Sequence, residues 1–281
     1  MKISSWLSTV IIFIAAILVL FPVIFIFSNS FMDELEFLER YSIDESDSGA
    51  FLKLSLIPDN FTLQRYIRLF TQSPIYLRLF WNSVILVVPI LLGQCLISPL
   101  SAYAFEFMLW KYKEILYYVF VVVMLLPLQI LLVPHFIVAD WLGINGTYWA
   151  IILPGIFNPF GVFILRQQLR GFPKECIDAG KMDGANEWVG FRSIVLPNMK
   201  PAIAALCILT FVEYWNIVDQ AIIFTKSYFQ QPLSVYLSRI VETDPGMFFA
   251  VSSFYMVPAI LIFAYGHEHL AQGITLSGVR N

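Results

Sequence analysis

Charged side chains are scarce in this 281-residue sequence: Asp, Glu, Lys and Arg together make up 13% of it. Hydrophobic residues make up 59%, and the mean hydropathy is +0.75. A water-soluble domain of this length cannot bury so much apolar surface, because too few polar side chains remain to cover its exterior. The composition therefore excludes a soluble globular protein and predicts an integral membrane protein.

Cysteine and histidine are also few. The three cysteines, Cys95, Cys176 and Cys207, have no paired spacing, which predicts three reduced thiols without a role. Of the three histidines, only His267 and His269 lie close together, two residues apart and with no further ligand nearby. Because a zinc site needs three or four protein ligands, we expect no bound metal.

The sequence also lacks the motif G-x-x-x-x-G-K-[ST], whose backbone amides and lysine hold the phosphates of a nucleotide. Without this motif, the chain is not expected to hydrolyse ATP itself. We accordingly expect a non-enzymatic protein that has no catalytic residue, no cofactor and no nucleic-acid partner.

Long stretches without charge fill most of the chain instead. A transmembrane helix needs about 20 mostly apolar residues. Charge-free windows occur at 3–32, 79–105, 115–139, 141–165 and 245–266, and a sixth apolar segment, 202–224, carries Glu213 and Asp219. We therefore predict an all-α protein with six membrane spans in one domain, 1–281. The approximate spans are 6–28, 80–104, 115–137, 148–167, 202–224 and 247–266, with an outer loop at 29–79, an inner loop at 168–200 and a tail at 267–281.

The first apolar window is interpreted as an uncleaved span and not as a signal peptide. Its core runs from Trp6 to Phe27, about 22 residues, whereas the apolar core of a signal peptide has about 7–15. In addition, no small-residue cleavage site follows this core.

The distribution of positive charge predicts the orientation. With the N-terminus inside, ten of the 17 Lys and Arg residues fall in inward segments, whereas the short outward loops hold only Lys226 and Arg239. The long first loop carries more acidic residues than basic ones. Because cytoplasmic loops are enriched in Lys and Arg, both termini are expected in the cytoplasm.

Two outward segments carry further signals. Leu63, Tyr66, Ile67 and Phe70 recur at helical spacing and predict a short amphipathic helix on the outer membrane surface. The outward loop that follows the fifth span, at 226–246, is long for a simple connector and has the length to reach a partner or a ligand.

A polar stretch at 171–201, which we call the elbow, interrupts the apolar chain. Pro173 suits the start of a first helix, 173–182, because its missing N–H is not needed there. Ile177 and Met182 are expected to make the apolar contacts of this helix. Gly184 then permits a sharp turn of the backbone.

A second helix of the elbow is predicted from residues spaced three or four apart. It stops at Pro197, and Pro201 begins the fifth span. Its apolar stripe, which is expected to hold the elbow against the bundle, consists of Ala185, Trp188, Phe191, Ile194 and Val195. A solvated connector with ordinary amphipathic helices is the alternative interpretation.

The residues of the elbow resemble the signature loop, the EAA loop, of ATP-binding-cassette importer permeases. That pattern is E-A-A, three residues, G, nine residues, I, one residue and L-P. The sequence presents it as Asp178-Ala179-Gly180, then Gly184, Ile194 and Leu196-Pro197. Asp178 stands where glutamate is usual, which shortens the reach of the carboxylate. Gly180 stands where alanine is usual, which costs about 1 kcal/mol of helix propensity.

Other segments resemble the carbohydrate-uptake branch of these permeases, among them Asp183-Gly184-Ala185, Pro201, "GINGTYWAIILP" and "LAQGITLSGVRN". The chain is most similar to the smaller, six-span subunit of maltose and multiple-sugar importers. This resemblance implies one half of a heterodimeric pore in the lipid bilayer of a bacterial or archaeal inner membrane. The implied partners are a second, unlike permease subunit, a cytosolic ATPase dimer, an extracellular solute-binding protein and a sugar or oligosaccharide.

The resemblance also implies that the elbow docks into the ATPase and transmits its closure to the pore. Asp178 would meet a basic residue of the ATPase, Gly184 would form the bend, and 173–188 would be the docked surface. The C-terminal tail would reach the ATPase dimer as well. The implied coupling residues are Glu175, Asp178, Ala179, Gly180, Met182, Asp183, Gly184, Ala185, Trp188, Ile194, Leu196 and Pro197.

Carboxylates within a span indicate a candidate solute pathway, because they are costly in the membrane and usually face a bundle interior or an aqueous path. Glu213 and the following Tyr214, Trp215 and Asn216 are the candidate pathway residues, with structural contacts between helices as the alternative. Asp219, six residues further, lies about 600° further round a helix and thus on a different face.

Other functions stay open at this point. The same machinery could carry a glycerol phosphate or an amino sugar. A proton-coupled secondary carrier using Glu213 and Asp219 belongs to a different class, but the sequence shows no inverted repeat to support it. A membrane scaffold without transport would not require the elbow.

Overall fold

The computed structural model describes residues 2–41 and 56–278. Part of the predicted outer loop, 42–55, and the end of the predicted tail, 279–281, lie outside the described residues. Within them the chain is helical over most of its length, and its β-structure is a single antiparallel bridge between Met32 and Phe61. The prediction of an all-α protein is confirmed.

The helices follow one another closely along the chain. Two of them are extended by π-helical turns, α3 by Arg68–Gln72 and α10 by Gly190–Val195. In chain order they are α1 (Lys2–Asn29), α2 (Glu34–Tyr41), α3 (Gln64–Ile67), α4 (Pro74–Phe107), α5 (Lys113–Leu125), α6 (Leu128–Trp141), α7 (Trp149–Ile156), α8 (Pro159–Leu169), α9 (Lys174–Met182), α10 (Glu187–Val189), α11 (Leu196–Asn198), α12 (Lys200–Trp215), α13 (Asp219–Phe224), α14 (Leu233–Leu237), α15 (Ile240–Thr243) and α16 (Phe248–Gly278).

Four stretches of helix are long and apolar enough to cross a membrane: Ser8–Asn29, Pro74–Phe107, Trp149–Leu169 and Pro245–His267. Two further pairs qualify if each bent pair is counted as one span. These are α5 with α6, bent by 111°, and the run Glu187–Asn198 with α12, bent by 72°. The described residues thus hold four to six candidate spans, which is compatible with the six predicted.

The third predicted span, 115–137, is not one straight helix. α5 ends at Leu125, Leu126 is extended with ψ 133°, and α6 begins at Leu128. Pro127 causes this break, because proline has no N–H to donate and disfavours the helical conformation of the residue before it.

The fifth predicted span, 202–224, is also divided. α12 ends at Trp215, and α13 begins only at Asp219. Between them the side-chain amide of Asn216 donates to the carbonyl of Val212 at 2.8 Å. Asparagine side chains compete with the backbone in this way, which favours the end of a helix over its continuation.

The chain divides into two compact units, 1–80 with 236–257 and 81–235 with 258–281. The core of the first unit is aromatic. Phe37 and Phe249 are buried together, with their ring centroids 6.0 Å apart, and Met32 completes this cluster.

The surface helix predicted near 63–70 is present in the first unit as α3 and its π-helical extension. Leu63, Ile67 and Phe70 are each about half exposed, as an amphipathic pattern predicts. On the other face the side chain of Arg68 is 40% exposed, whereas Arg65 is buried and donates to the carbonyl of Asp33 at 3.2 Å. This burial lowers the pKa of Arg65 from its ordinary value.

The second unit has a larger core that joins α4, α8, the elbow and α12. Helices approach closely there, since a Cβ added at Gly93 of α4 would lie 2.5 Å from the side chain of Ile156. The buried cluster comprises Ala102, Tyr103, Leu165, Leu169, Ile177, Phe191, Val195, Met199, Ala202 and Leu206.

Candidate functional sites

The elbow has the bent helical shape that its sequence predicts. α9 ends at Met182, and Pro173 directly precedes its first residue. Gly184 has φ +89°, a left-handed conformation that residues with a Cβ rarely adopt. No atom lies within 4 Å of where its Cβ would be. Glycine is therefore needed here for the bend and not for space.

The second helical run of the elbow differs from the prediction at both ends. It extends from Glu187 to Asn198 through α10, the π-helical turn and α11, so Pro197 lies inside the run and does not end it. Asn186 precedes the run, and its side-chain oxygen accepts a hydrogen bond from the N–H of Val189 at 2.9 Å. Asparagine at this position satisfies one of the free N–H groups of a first helical turn.

Buried apolar side chains hold the elbow against the helices of the second unit. Ile177, Phe191 and Val195 are buried in the cluster that contains Tyr103 of α4. The rings of Tyr103 and Phe191 meet edge to face, with centroids 5.4 Å apart. Such a pair contributes about 0.5–1.5 kcal/mol beyond the burial of its area. The elbow is thus fastened to α4.

Tyr103 also forms a hydrogen bond to the elbow. Its hydroxyl donates to Glu187 Oε2 at 2.8 Å, and Lys181 Nζ lies 2.7 Å from Glu187 Oε1. Glu187 lies in the predicted inner loop, before the fifth predicted span at 202–224, and Lys181 and Tyr103 lower the pKa of its carboxyl from the ordinary value. The elbow has two helical arms, α9 and the run Glu187–Asn198. The carboxylate of Glu187 thus joins both arms to α4. Sequence reasoning missed this contact, because 84 positions separate Tyr103 from Glu187.

The predicted coupling residues lie mainly on the outer surface of the elbow. Met182 is 88% exposed, so the prediction that it makes an apolar contact is wrong. Five residues separate it from Ile177, which is about 500° round a helix and hence a different face. Trp188 is 57% exposed and packs on Phe191 without entering the bundle. Exposed are Glu175, Asp178, Ala179, Met182, Asp183, Gly184, Trp188 and Pro197, and half-buried are Gly180, Ala185, Ile194 and Leu196.

Gly180 makes room for Ile194. A Cβ at position 180 would lie 2.6 Å from Ile194 Cδ1 and 3.9 Å from the Cβ of Ala185. Glycine at this position, where the resembling family usually has alanine, therefore lets the two arms of the elbow approach each other more closely.

Gly180→Ala and Ile194→Val are expected to be energetically coupled. Alanine gains about 1 kcal/mol of helix propensity, but its methyl group displaces Cδ1 of Ile194, so the single variant should gain less than this. Ile194→Val removes that methyl and alone costs about 0.5–1.5 kcal/mol. In the double variant we expect a favourable coupling of at least about 0.5 kcal/mol. Thermal unfolding of all four forms measures it, and additive effects would contradict the contact.

An ionic cluster around a buried arginine lies where α8 leads into the elbow. Arg166 of α8 donates from Nε to Glu106 of α4 at 3.2 Å and from Nη2 to Glu114 of α5 at 2.9 Å. Its guanidinium also lies 3.8 Å from the centre of the Tyr117 ring. The planar, permanently charged guanidinium suits both contacts. One side chain therefore joins α4, α5 and α8.

A cavity of about 490 Å³ lies among the broken helices of the second unit. Most of its wall is apolar, with contributions from α5, α6, α7, α8, α12 and α13. A pocket with apolar walls and few polar groups is typical of a small-molecule site. The polar side chains that line it are His135, Asn158, Glu213, Tyr214 and Gln220.

The breaks in the helices bring polar groups to this cavity. Asn158 separates α7 from α8, and its side-chain oxygen accepts from the N–H of Phe160 at 3.0 Å, which caps α8. Pro127 separates α5 from α6 near the same cavity. Non-helical backbone at membrane depth is tolerated where it is buried in protein or lines a water-filled space.

Glu213 and Tyr214, two of the four predicted pathway residues, line this cavity. Trp215 is buried instead and stacks on Phe211, with ring centroids 5.1 Å apart. Asn216 and Asp219 are not among the lining residues, and Asn216 is bonded to its own helix. The structure thus separates the predicted group of four into two residues at the cavity and two elsewhere.

The elbow and the cavity both lie in a segment of the chain that matches a known protein family. The sequence model of the family described as binding-protein-dependent transport system inner membrane component matches residues 96–275. This match covers more than half of the chain and includes the whole elbow and every residue that lines the cavity. The chain belongs to this family. As an inner membrane component of a transport system, it is a membrane protein, as its composition predicts.

Known relatives of this inner membrane component cover most of the chain. It is 28% identical to the arabinooligosaccharides transport system permease protein AraQ of Halalkalibacterium halodurans, over 99% of this chain and 97% of that protein. It is 29% identical to the lactose transport system permease protein LacG of Rhizobium radiobacter, over 69% and 72%. It is 23% identical to the sn-glycerol-3-phosphate transport system permease protein UgpE of Brucella abortus, over 97% and 96%.

Solved structures share the fold of this inner membrane component. A chain of a bacterial ABC transporter involved in the import of the acidic polysaccharide alginate matches with a TM-score of 0.78 and 19% identity, over 95% of this chain and 96% of that chain. A chain of the alginate transporter in complex with its alginate pentasaccharide-bound periplasmic protein matches with a TM-score of 0.63 and 17% identity, over 98% and 97%. The family and the permease fold predicted from the sequence are confirmed.

Proposed function

We propose that this chain is the permease subunit of an ATP-driven importer for a sugar or an oligosaccharide, and forms half of a heterodimeric pore. Its family membership and the arabino-oligosaccharide and lactose transporters among its relatives support the proposal. The observation that carries it is the elbow, an exposed surface that is bent at Gly184 and fastened by Tyr103 to the unit that holds the cavity.

The elbow is proposed to be the docking surface for a cytosolic ATPase dimer. Met182 and Trp188 expose apolar area that a partner would cover, and Asp178 adds an exposed carboxylate for a basic residue. Aromatic and apolar anchors within a charged rim are what a stable protein interface requires. The elbow and both termini are proposed to face the cytoplasm, as the positive charge of these segments predicts.

Movement of the elbow is proposed to reach the cavity through α12. This helix begins directly after the second run of the elbow and carries Glu213 and Tyr214 near its other end. A helix moves as a rigid element, so a displacement at Lys200 shifts the cavity wall as well. Closure of the ATPase would thus change the shape of the solute pathway.

The chemistry of the cavity favours a sugar without negative charge. Asn158, Tyr214 and Gln220 can exchange hydrogen bonds with hydroxyl groups, and Phe157 supplies an apolar ring at the wall. The described lining contains no Lys or Arg, whereas Glu213 brings a carboxylate that repels an anion. A neutral sugar or an amino sugar therefore fits this cavity better than a glycerol phosphate.

Copurification and transport assays test the proposal. The tagged chain is expected to copurify with an unlike permease subunit and an ATPase from its own cells. In proteoliposomes supplied with the solute-binding protein, neutral oligosaccharides should stimulate ATP hydrolysis and enter the vesicles, whereas glycerol phosphate should not. A chain that purifies without an ATPase, or a complex that no sugar stimulates, would contradict the proposal.

Glu213→Gln is expected to weaken the response to solute. A hydrogen bond to a charged group contributes about 1.5 kcal/mol, so the sugar concentration for half-maximal ATPase stimulation should rise about tenfold. Asp219→Asn is the matched control, since it removes the same charge outside the cavity lining. Equal effects of the two substitutions would contradict a specific role of Glu213.

A further inference from the structure

Two cysteines that are far apart in the sequence meet inside the second unit. Cys95 of α4 and Cys207 of α12 lie 112 positions apart, yet their Sγ atoms are 2.7 Å from each other. Both are free thiols and half-buried. The two thiol side chains are therefore in direct contact, which a disulfide bond between them requires.

Adjacent contacts keep these two cysteines together. The residue before Cys95, Gln94, accepts from the hydroxyl of Thr210 of α12 at 3.0 Å and donates to the carbonyl of Gly155 at 2.8 Å. Gln94 and Thr210 are each 1% exposed, and buried hydrogen bonds of this kind are costly to break. In this conformation these contacts leave Cys95 facing Cys207.

We propose that Cys95 and Cys207 form an oxidation site, a dithiol that a lipid-soluble quinone converts into a disulfide between α4 and α12. Two S–H bonds break and one S–S bond forms. The two electrons and two protons released reduce the quinone to its hydroquinone. Reduction by a dithiol restores both thiols through a mixed disulfide.

The position within apolar helices decides which reagents reach this pair. Cytosolic thiols are kept reduced by glutathione and thioredoxin, which are soluble in water. Cys176 is exposed on the elbow and open to such reagents, whereas Cys95 and Cys207 lie within the apolar stretches of α4 and α12. The pair is thus open to a membrane-soluble oxidant and shielded from glutathione and thioredoxin.

The disulfide would also act on transport, and this consequence rests on the proposed function. α12 links the elbow to Glu213 at the cavity, and Cys207 lies between these two points. A covalent bond to α4 would hold α12 in one position, so the cavity could no longer respond to the elbow. The expected result of oxidation is a reversible loss of uptake.

The test uses the assembled complex in lipid nanodiscs, treated with a fully substituted benzoquinone that has no free ring position for thiol addition. Mass spectrometry of unreduced peptides is expected to show the Cys95 peptide joined to the Cys207 peptide in most molecules. Dithiothreitol should separate them. Cys95→Ser and Cys207→Ser should each abolish the joined species, whereas Cys176→Ser should leave its yield unchanged.

Two results would overturn the proposal. One is a reaction of both Cys95 and Cys207 with a maleimide after the quinone-treated complex has been denatured. The other is a joined species that contains Cys176. The same treatment in proteoliposomes should stop uptake by the parent chain and leave uptake by Cys95→Ser unchanged. Equal loss of uptake in both would contradict the inference that the disulfide stops transport. Because cross-linking is measured without transport, a wrong proposed function would not affect that readout.

Discussion

Replacing Gly184 with proline is expected to abolish ATPase docking and uptake together, while the chain still inserts into the membrane. Gly184 has φ +89°, and its N–H donates to the carbonyl of Lys181 at 3.0 Å. Proline holds φ near about −65° and has no N–H, so the bend between the two arms of the elbow cannot form. Copurification of the ATPase, uptake in proteoliposomes and the amount of chain in membranes measure the three parts of this prediction.

Gly143 provides a matched control for this change. It has φ +69°, no atom within 4 Å of where a Cβ would be, and an N–H that donates to the carbonyl of Asp140 at 3.0 Å. Gly143→Pro therefore disturbs the backbone in the same way, but outside the elbow. It is expected to keep the ATPase bound. Equal loss of the ATPase in both variants would contradict a specific docking role of the elbow, as would undiminished uptake by Gly184→Pro.

Arg166→Met is expected to lower the free energy of unfolding by about 3–5 kcal/mol, the usual cost of leaving a buried charge without its partner. Glu106 is 11% exposed at its side chain and would lose the guanidinium that neutralises it. Tyr117 would lose its cation–π contact as well. Thermal unfolding and resistance to protease of the purified complex measure the loss, and we expect low uptake to accompany it.

Two further variants distinguish a buried cluster from a general need for positive charge. Arg170→Met removes an exposed arginine only four residues further along the chain and should cost less than about 0.5 kcal/mol. Adding Glu106→Gln to Arg166→Met removes the uncompensated carboxylate and should recover part of the stability. If Arg166→Met cost no more than Arg170→Met, the ionic cluster would have no structural role.

The elbow was predictable because its signals are local. Pro173 at the start of α9, the glycine at the bend and the spacing of apolar residues each act over a few positions, and the helix α9 appears within one residue of the prediction. The family resemblance rested on this stretch together with segments such as "GINGTYWAIILP" and "LAQGITLSGVRN", and the match over residues 96–275 confirms it. Which side of each elbow helix is buried was less predictable, as Met182 shows.

Hydropathy could not predict where the helices break. The segment around Leu126 is apolar throughout, and 202–224 is apolar apart from a few polar residues such as Glu213 and Asp219, so each segment was expected to form one span. Proline content did not locate the breaks either, since Pro22, Pro89 and Pro258 lie inside unbroken helices whereas Pro127 separates two. Neighbouring helices decide whether the freed backbone groups find partners, and this depends on packing.

The sequence by itself determined the class of protein, its family and the position of the elbow, because composition, helical periodicity and a short motif are properties of neighbouring residues. Only the tertiary structure decided which polar groups meet. Glu187 with Tyr103, Arg166 with Glu106 and Cys95 with Cys207 are pairs separated by 84, 60 and 112 positions. Such contacts form only when packing brings distant helix faces together, and no local pattern records that packing.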